Sequence, residues 1–132
     1  MSEQQNVRTI QEIYGAFGRG DVPAILAKLT DDVAWILHLD PIVPWSGDYS
    51  GKDRVPKFFE NIFNSVAVES FEPLEYIAEG DVVVSLGMFG CRSNATGKTG
   101  NTRWVFIWRF KDGKVNSYEQ FHEVRIADVF RS

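Results

Sequence analysis

Apolar residues recur at helical spacing in three segments of the first half of the chain. The first segment covers residues 7–17 and stops at a Gly-Arg-Gly sequence. The second covers 21–29, with Asp21 placed to cap it and Pro23 in its first turn, and polar residues 30–32 end it. The third covers 55–66. Steps of three and four residues bring these side chains to one face, so the pattern predicts three amphipathic helices.

The start of the third helix is open to two interpretations. Ser50 begins a possible capping box, but Pro56 would then fall beyond the first turn. Asp53 is the better placed cap, because Pro56 then lies within the first turn. Both interpretations keep the same apolar face directed toward the core.

The remainder of the chain has the composition of β-strands separated by turns. The predicted strands are 33–39, 71–77, 82–89, 101–110 and 115–124, with loops at 40–49 and 93–100, turns at 79–81 and 111–114, and a short helical tail at 125–130. Helices followed by a run of antiparallel strands indicate an α+β fold, in which the helices cover one face of a sheet.

Composition narrows the class of protein. A length of 132 residues fits one domain, residues 1–132. A net charge of −4 with no basic run argues against nucleic-acid binding. The first residues lack the apolar run of a signal peptide, and no segment is apolar enough to span a membrane, so the expected location is cytoplasmic. An aromatic content of 14% exceeds what so small a core needs, which suggests that some rings line a cavity.

Five short motifs occur in a distinctive order along the chain. They are Tyr14-x-Ala16-Phe17-x-x-Gly20-Asp21, Leu29-x-Asp31-Asp32-Val33-x-Trp35, Pro44-Trp45-x-Gly47-x-Tyr49-x-Gly51-x-Asp53-x-Val55-x-x-Phe58-Phe59, Glu79-Gly80-Asp81-Val82-Val83-Val84 and Arg103-Trp104-x-x-x-x-Arg109-Phe110-x-Asp112-Gly113-Lys114-Val115. With these motifs the chain resembles the nuclear-transport-factor-2-like superfamily, in its SnoaL-like and ketosteroid-isomerase-related branch, over nearly its whole length.

This resemblance implies a fold and a general role. The fold is a cone: a strongly curved, mostly antiparallel sheet wrapped around three helices, with a pocket on its concave side. Members of the superfamily are usually homodimers. They include isomerases, polyketide cyclases, hydrolases, dehydratases and non-catalytic binding domains, so the fold alone does not define the reaction. We therefore expect a pocket for a small apolar molecule with a ring or a carbonyl group. It would serve a cofactor-free isomerase, cyclase or hydratase, a non-catalytic binder, or a protein-interaction domain.

The last strand supplies the first candidate for catalysis. Alternation along a strand puts Tyr118, Gln120 and His122 on one face. The resemblance implies that this face lines the pocket, and that His122 occupies a position where many relatives carry an acid/base aspartate. A histidine can transfer protons near neutral pH, so His122 is either an acid/base residue or a polar residue of the pocket lining.

The first strand supplies two further candidates. The resemblance implies a general-base carboxylate in this strand, and the two flanking motifs place that position at Leu37 or at His38. A one-residue difference reverses the face on which a side chain lies, so the orientation of His38 stays open. Asp40 is close enough in sequence to substitute as the base, although it can equally cap the following loop.

The oxyanion-binding residues of steroid isomerases are not matched in this chain. The resemblance places their tyrosine at Ile13, one residue before Tyr14, and their protonated aspartate at Phe106. This argues against steroid isomerase activity. Tyr14 is retained as a candidate to polarise a carbonyl group, with a role as a buried aromatic as the alternative.

Large aromatic residues are predicted to form the pocket wall. Trp104, Phe106 and Trp108 alternate along one strand, and Trp35 and Phe59 come from other elements. These rings would suit a flat ligand, or they would form an ordinary sheet core. Neither a metal-binding cluster nor a phosphate-binding loop is recognisable, so we expect no metal ion and no cofactor.

Overall fold

The computed structural model describes residues 2–132, which form three α-helices, six β-strands and a terminal 3₁₀ helix. The helices are α1 (Glu3–Gly18), α2 (Val22–Leu26) and α3 (Val55–Ser65), and the 3₁₀ helix is Val124–Phe130. The strands are β1 (Leu29–His38), β2 (Gly47–Asp48), β3 (Val66–Glu79), β4 (Val82–Ser93), β5 (Thr99–Lys111) and β6 (Lys114–His122). This confirms the predicted α+β class.

The helix starts follow local capping chemistry at α1 and α2. Ser2 Oγ accepts a hydrogen bond from Gln5 N at 3.1 Å, and Gln5 Oε1 accepts one from Ser2 N at 3.0 Å, which forms a capping box. Asp21 caps α2 as predicted, because its Oδ1 accepts from Ala24 N at 3.2 Å. Both caps satisfy backbone N–H groups that a helix cannot pair internally.

Neither predicted cap is used at α3. Arg54 is the N-cap residue and makes no side-chain capping bond. Ser50 Oγ instead accepts a hydrogen bond from Trp35 N at 3.0 Å, which ties the loop to β1. Pro56 lies in the first turn of α3 and has no N–H, so fewer backbone donors there require a cap.

The six strands form one curved sheet in the order β2-β1-β6-β5-β4-β3. Every neighbouring pair is antiparallel except β1 and β6, which run parallel. The curved, mostly antiparallel sheet and the helices on its concave side give the predicted cone.

At two of the boundaries that differ from the prediction, tertiary pairing outweighs local composition. Residues 30–32 do not end α2 but belong to β1, where a bulge between Leu29 and Ala34 leaves the two aspartates exposed. Residues 66–70 form the start of β3, since they pair with the end of β4. As a result, α3 continues directly into β3.

The concave face of the sheet holds the core. Trp104, Phe106 and Trp108 alternate along β5 and are all buried there. Trp104 lies directly over Gly87 of β4: a Cβ atom at Gly87 would be 2.3 Å from Trp104 Cζ2 and 2.3 Å from the Glu72 carbonyl oxygen. The indole therefore occupies the space that a side chain at residue 87 would need. Within the described residues, no helix is long and apolar enough to cross a membrane.

Replacing Gly87 with alanine is expected to destabilise the fold. The added methyl group must displace both Trp104 and a backbone carbonyl, and such overpacking costs about 1–3 kcal/mol. The matched control is Gly18→Ala, because Gly18 has a helical backbone and nothing lies within 4 Å of the position that its Cβ atom would take. Urea unfolding followed by tryptophan fluorescence gives both free energies. Equal stabilities for the two variants would contradict the close packing of Trp104 on Gly87.

Candidate functional site

A cavity lies between the concave face of the sheet and the helices. Its lining is made of Ile13, Tyr14, Phe17, Trp35, Trp45, Phe58, Phe59, Ile62, Phe71, Phe89, Phe106, Trp108, Tyr118, Gln120 and His122. The centre of a water molecule can move through about 50 Å³ inside it, several times the space that one water needs. The cavity therefore has room for a compact organic molecule.

Aromatic rings in edge-to-face and tilted contact form most of the wall. The Trp35 and Tyr118 ring centroids are 4.2 Å apart, and those of Tyr118 and Phe106 are 5.3 Å apart. Phe58 packs edge-on against Trp35 at 5.6 Å. Among residues 2–132, no aspartate, glutamate, lysine or arginine lines the cavity, so its surface is apolar with a few neutral polar groups.

His122 is the most unusual of those polar groups. It is half-buried as a residue, but both ring nitrogens are inaccessible, and neither has a hydrogen-bond partner among the described residues. The nearest rings are Phe89 and Phe106, with centroids 5.9 and 6.3 Å away. Burial lowers the pKa of His122 to about 4, and the neighbouring Glu123 carboxylate offsets this only in part. His122 is therefore a neutral imidazole at pH 7.

The carboxylate of Glu123 does not enter the cavity with His122. Its Oε1 accepts a hydrogen bond from Arg103 N at 2.7 Å, and its Oε2 accepts from Arg125 Nε at 2.6 Å. These bonds lower the pKa of Glu123 and hold the group on the surface. Consequently, His122 lacks the carboxylate partner that orients and charges a typical catalytic histidine.

Three other polar side chains in the lining are bonded to one another. Trp45 Nε1 donates to Gln120 Oε1 at 3.3 Å, and Gln120 Nε2 donates to the Tyr118 hydroxyl. Burial raises the pKa of Tyr118, so its phenol stays protonated. This series of hydrogen bonds fixes the middle of β6 and connects it to the loop that carries Trp45.

Tyr14 lies in the cavity wall, but its hydroxyl group already has a hydrogen-bond partner in the protein. Its hydroxyl oxygen accepts a hydrogen bond from Trp108 Nε1 at 3.0 Å. Burial raises the pKa of Tyr14 far above its ordinary value, so it stays a neutral phenol. The bond joins α1 to β5 across the core.

His38 and Asp40 lie outside the cavity. The His38 ring stacks on Phe121 with centroids 4.5 Å apart, and its Nε2 is 3.0 Å from Glu119 Oε1. Asp40 Oδ1 accepts from Ile42 N at 2.9 Å and so caps the loop. Alternation along β1 explains why His38 lies outside the cavity: Trp35 faces inward, and His38, three residues later, faces outward. Of the four candidate catalytic residues, only Tyr14 and His122 reach the cavity.

Six of the aromatic and polar residues predicted for the pocket wall line the cavity, and Trp104 does not. Trp35, Phe59, Phe106, Trp108, Tyr118 and Gln120 all line the cavity. Trp104 does not, although it shares a face with Phe106. Its ring is covered by Phe71 and Phe106, which stack on it with centroid distances of 5.0 and 3.9 Å. Trp104 is therefore a core residue behind the wall.

Several lining residues were not among the predicted site residues. Phe58 and Ile62 belong to the apolar face of α3, so periodicity identified them as buried without separating cavity from core. Phe71 and Phe89 lie on β3 and β4. Trp45 lies in a loop, where no periodicity indicates orientation; its place in the motif around Pro44 was the one available signal.

The described residues hold no group of three or more histidine, cysteine, aspartate or glutamate side chains that could bind a metal ion. Cys91, the single cysteine, is buried in β4, and burial raises the pKa of its thiol to about 11. It is therefore a protonated core side chain at neutral pH.

Solved structures with a similar fold cover almost the entire chain. An NTF2-like protein from Burkholderia xenovorans LB400 is 28% identical over 99% of both chains, with a TM-score of 0.89. An NTF2-like protein of unknown function from Burkholderia pseudomallei K96243 is 26% identical over all of both chains, with a TM-score of 0.87. TerC, co-crystallised with polyporic acid, is 24% identical over 97% of this chain and 99% of its own, with a TM-score of 0.83.

Sequence comparison gives the family. No significant match was found among curated proteins. The family model described as a SnoaL-like domain matches residues 10–118, which run from the second half of α1 to the first half of β6. That match spans most of the chain and agrees with the fold of the solved structures. The chain therefore belongs to the SnoaL-like domain family.

Proposed function

We propose that this protein binds a small, neutral, ring-containing carbonyl compound in the cavity, and that His122 hydrogen-bonds the ligand's oxygen. The observation that carries the proposal is the pair of inaccessible, unpartnered ring nitrogens of His122 in the cavity lining. A buried polar group without a partner costs about 1–3 kcal/mol. A ligand that supplies the missing partner recovers part of that free energy.

The electrostatics of the lining favour a neutral ligand. Burying an unpaired charge in an apolar site is far more costly than burying a neutral group, and the lining offers no opposite charge. With a pKa of about 4, His122 is neutral at pH 7 and has one N–H donor and one acceptor nitrogen. A carbonyl oxygen matches the donor, and the surrounding aromatic faces match a flat ring.

The relative TerC supports a small-molecule role. TerC has been co-crystallised with polyporic acid, and the two chains share their fold over nearly their whole length. At 24% identity this likeness concerns the fold, so the choice of a ring-containing carbonyl ligand rests on the lining itself.

Acetophenone is a suitable probe for this proposal. We expect it to shift the ¹⁵N NMR signals of cavity-lining residues, and His122→Phe to raise its dissociation constant about 3- to 10-fold, because one hydrogen bond is lost while ring volume is kept. The matched control is His38→Phe. It removes the chain's other histidine, which is exposed and outside the cavity, and should leave the dissociation constant unchanged.

Two results would count against the proposal. Equal affinity of wild type and His122→Phe would exclude His122 as the binding group. An absence of shifts at the cavity-lining residues with acetophenone up to its solubility limit would exclude this class of ligand.

Cofactor-free acid–base catalysis is the second candidate function. His122 is the one side chain of the lining whose ordinary pKa lies near neutrality. Its unprotonated nitrogen would take a proton from the carbon next to the ligand carbonyl, leaving an enolate and an imidazolium, and would return the proton to a carbon of the ligand. A base with a pKa of about 4 matches neutral pH poorly, which favours binding over catalysis.

The acetophenone samples separate binding from catalysis when they are prepared in D₂O. If the protein catalyses proton transfer, the methyl protons of acetophenone exchange with solvent deuterium faster in the presence of wild type than in the presence of His122→Phe. Exchange at the buffer rate in both samples leaves binding as the function.

We also propose that two copies of the chain pair through the outer face of the sheet. Val84, Leu86, Val105 and Ile107 lie on this face and are half-buried, and Phe121 beside them is 38% exposed. The face is opposite the cavity, since Phe106 and Trp108 alternate with these residues along β5. A contiguous apolar surface of this kind is typical of a protein–protein contact.

Sedimentation velocity tests the dimer. Wild type is expected to sediment as a dimer and Ile107→Glu as a monomer, because the new carboxylate lies opposite Glu119 in the centre of the face. Val124→Glu is the control, since Val124 is 84% exposed but belongs to the terminal 3₁₀ helix. A monomeric wild type, or a dimeric Ile107→Glu, would contradict the proposal.

A further inference from the structure

A second polar group in the cavity lining lacks a protein partner. Trp35 is 1% exposed, and its Nε1–H finds no acceptor among the described residues. The other two tryptophans of the lining differ: Trp45 Nε1 donates to Gln120, and Trp108 Nε1 donates to Tyr14. Buried donors are almost always paired, so the exception at Trp35 requires an explanation.

Trp35 and His122 lie toward opposite ends of the lining. Trp35 is the register partner of Tyr118, and His122 is four residues further along β6. A strand rises about 3.3 Å per residue and neighbouring strands are about 4.8 Å apart, so the backbone positions of Trp35 and His122 are about 14 Å apart. They are at the same time on one face of the sheet, since both side chains line the cavity.

The lining between Trp35 and His122 has few polar groups that are free to bond a ligand. The Phe106 ring packs edge-on against Tyr118 there, with centroids 5.3 Å apart. The Tyr118 hydroxyl and the Gln120 amide are bonded to each other, and Gln120 also accepts from Trp45. The cavity thus has an unpartnered polar group toward each end and a largely apolar or satisfied surface between them.

We infer that the ligand is two-ended: a flat, neutral molecule with one oxygen that accepts from Trp35 Nε1–H and a second oxygen that bonds His122. This deepens the proposed function and rests on it. An indole nitrogen can only donate, which makes the Trp35 end specific for an acceptor. A neutral imidazole donates or accepts, so the His122 end takes a carbonyl or a hydroxyl group.

This arrangement gives the cavity a basis for selectivity. A ligand with one oxygen leaves one of the two groups unpaired after it has displaced any water. A ligand with oxygens at both ends satisfies both groups. Sites built to hydrogen-bond a ligand discriminate against analogues that lack the bonding group, because the buried partner is then left unpaired.

The test uses 1,4-diacetylbenzene, which has a carbonyl at each end of a ring, against acetophenone, which has one. The chain has four tryptophans, so four indole N–H signals are assigned by single Trp→Phe variants. In wild type, 1,4-diacetylbenzene should move the Trp35 indole proton downfield, as a new hydrogen bond requires. The Trp104 signal serves as an internal control, because Trp104 Nε1 is also unpartnered but does not line the cavity.

Affinities provide the second readout. We expect 1,4-diacetylbenzene to bind wild type about 3- to 10-fold more tightly than acetophenone, the effect of one added hydrogen bond. Trp35→Phe keeps an aromatic ring but removes the N–H, and it should abolish this difference. Should that variant fail to fold, the Trp35 signal in wild type decides the question without it.

The two probes distinguish a failure of the two-ended ligand from a failure of the proposed function. If acetophenone binding depends on His122, while 1,4-diacetylbenzene binds no more tightly and leaves the Trp35 signal in place, the two-ended ligand is wrong and the proposed function stands. If neither probe moves any signal from the cavity lining, both proposals are overturned.

Discussion

The strict alternation of side chains along β5 and β6 is the constraint on which the site depends. It places Trp108 and Phe106 on the concave face together with Tyr118 and His122 from the neighbouring strand. The same alternation directs Val105 and Ile107 to the outer face. One geometric rule therefore separates an aromatic cavity from an apolar outer surface, and both proposed interactions follow from that separation.

The helices complete the cavity, and burial keeps its titratable groups neutral. The hydrogen bond from Trp108 to Tyr14 joins α1 to the sheet, and the aromatic face of α3 packs on Trp35. His122 lies beside Phe89 and Phe106 of the sheet, and its burial there lowers its pKa. A charged imidazole in this cavity would need a carboxylate beside it to offset the cost of burial. The nearby Glu123 carboxylate is instead held on the surface by Arg125. The site is thus suited to recognising neutral oxygen atoms, which is also what the unpartnered Trp35 indole requires.

Much of this organisation could be predicted from the sequence, since it depends on periodicity. Helical spacing located all three helices, and the alternation around Gln120 indicated the face that carries His122. Periodicity could not place Trp45, because a loop has no repeating orientation. Periodicity also could not show that Trp104 lies behind the cavity wall, because Trp104 shares a strand face with Phe106 and Trp108. That result depends on Gly87, a residue on a neighbouring strand whose missing side chain lets the indole lie flat behind the wall.

His122 is a neutral group held in an apolar cavity, and a titration of its imidazole ring measures this property. In His38→Phe, His122 is the one remaining histidine, so the ¹H NMR signal of its ring can be followed with pH without ambiguity. We expect a midpoint at about pH 4. Because this pKa is below that of an unfolded histidine, about 6.5, the free energy of unfolding should also fall as the pH is lowered from about 6.5 toward 4. A midpoint near pH 6.5, with no accompanying loss of stability, would contradict the account.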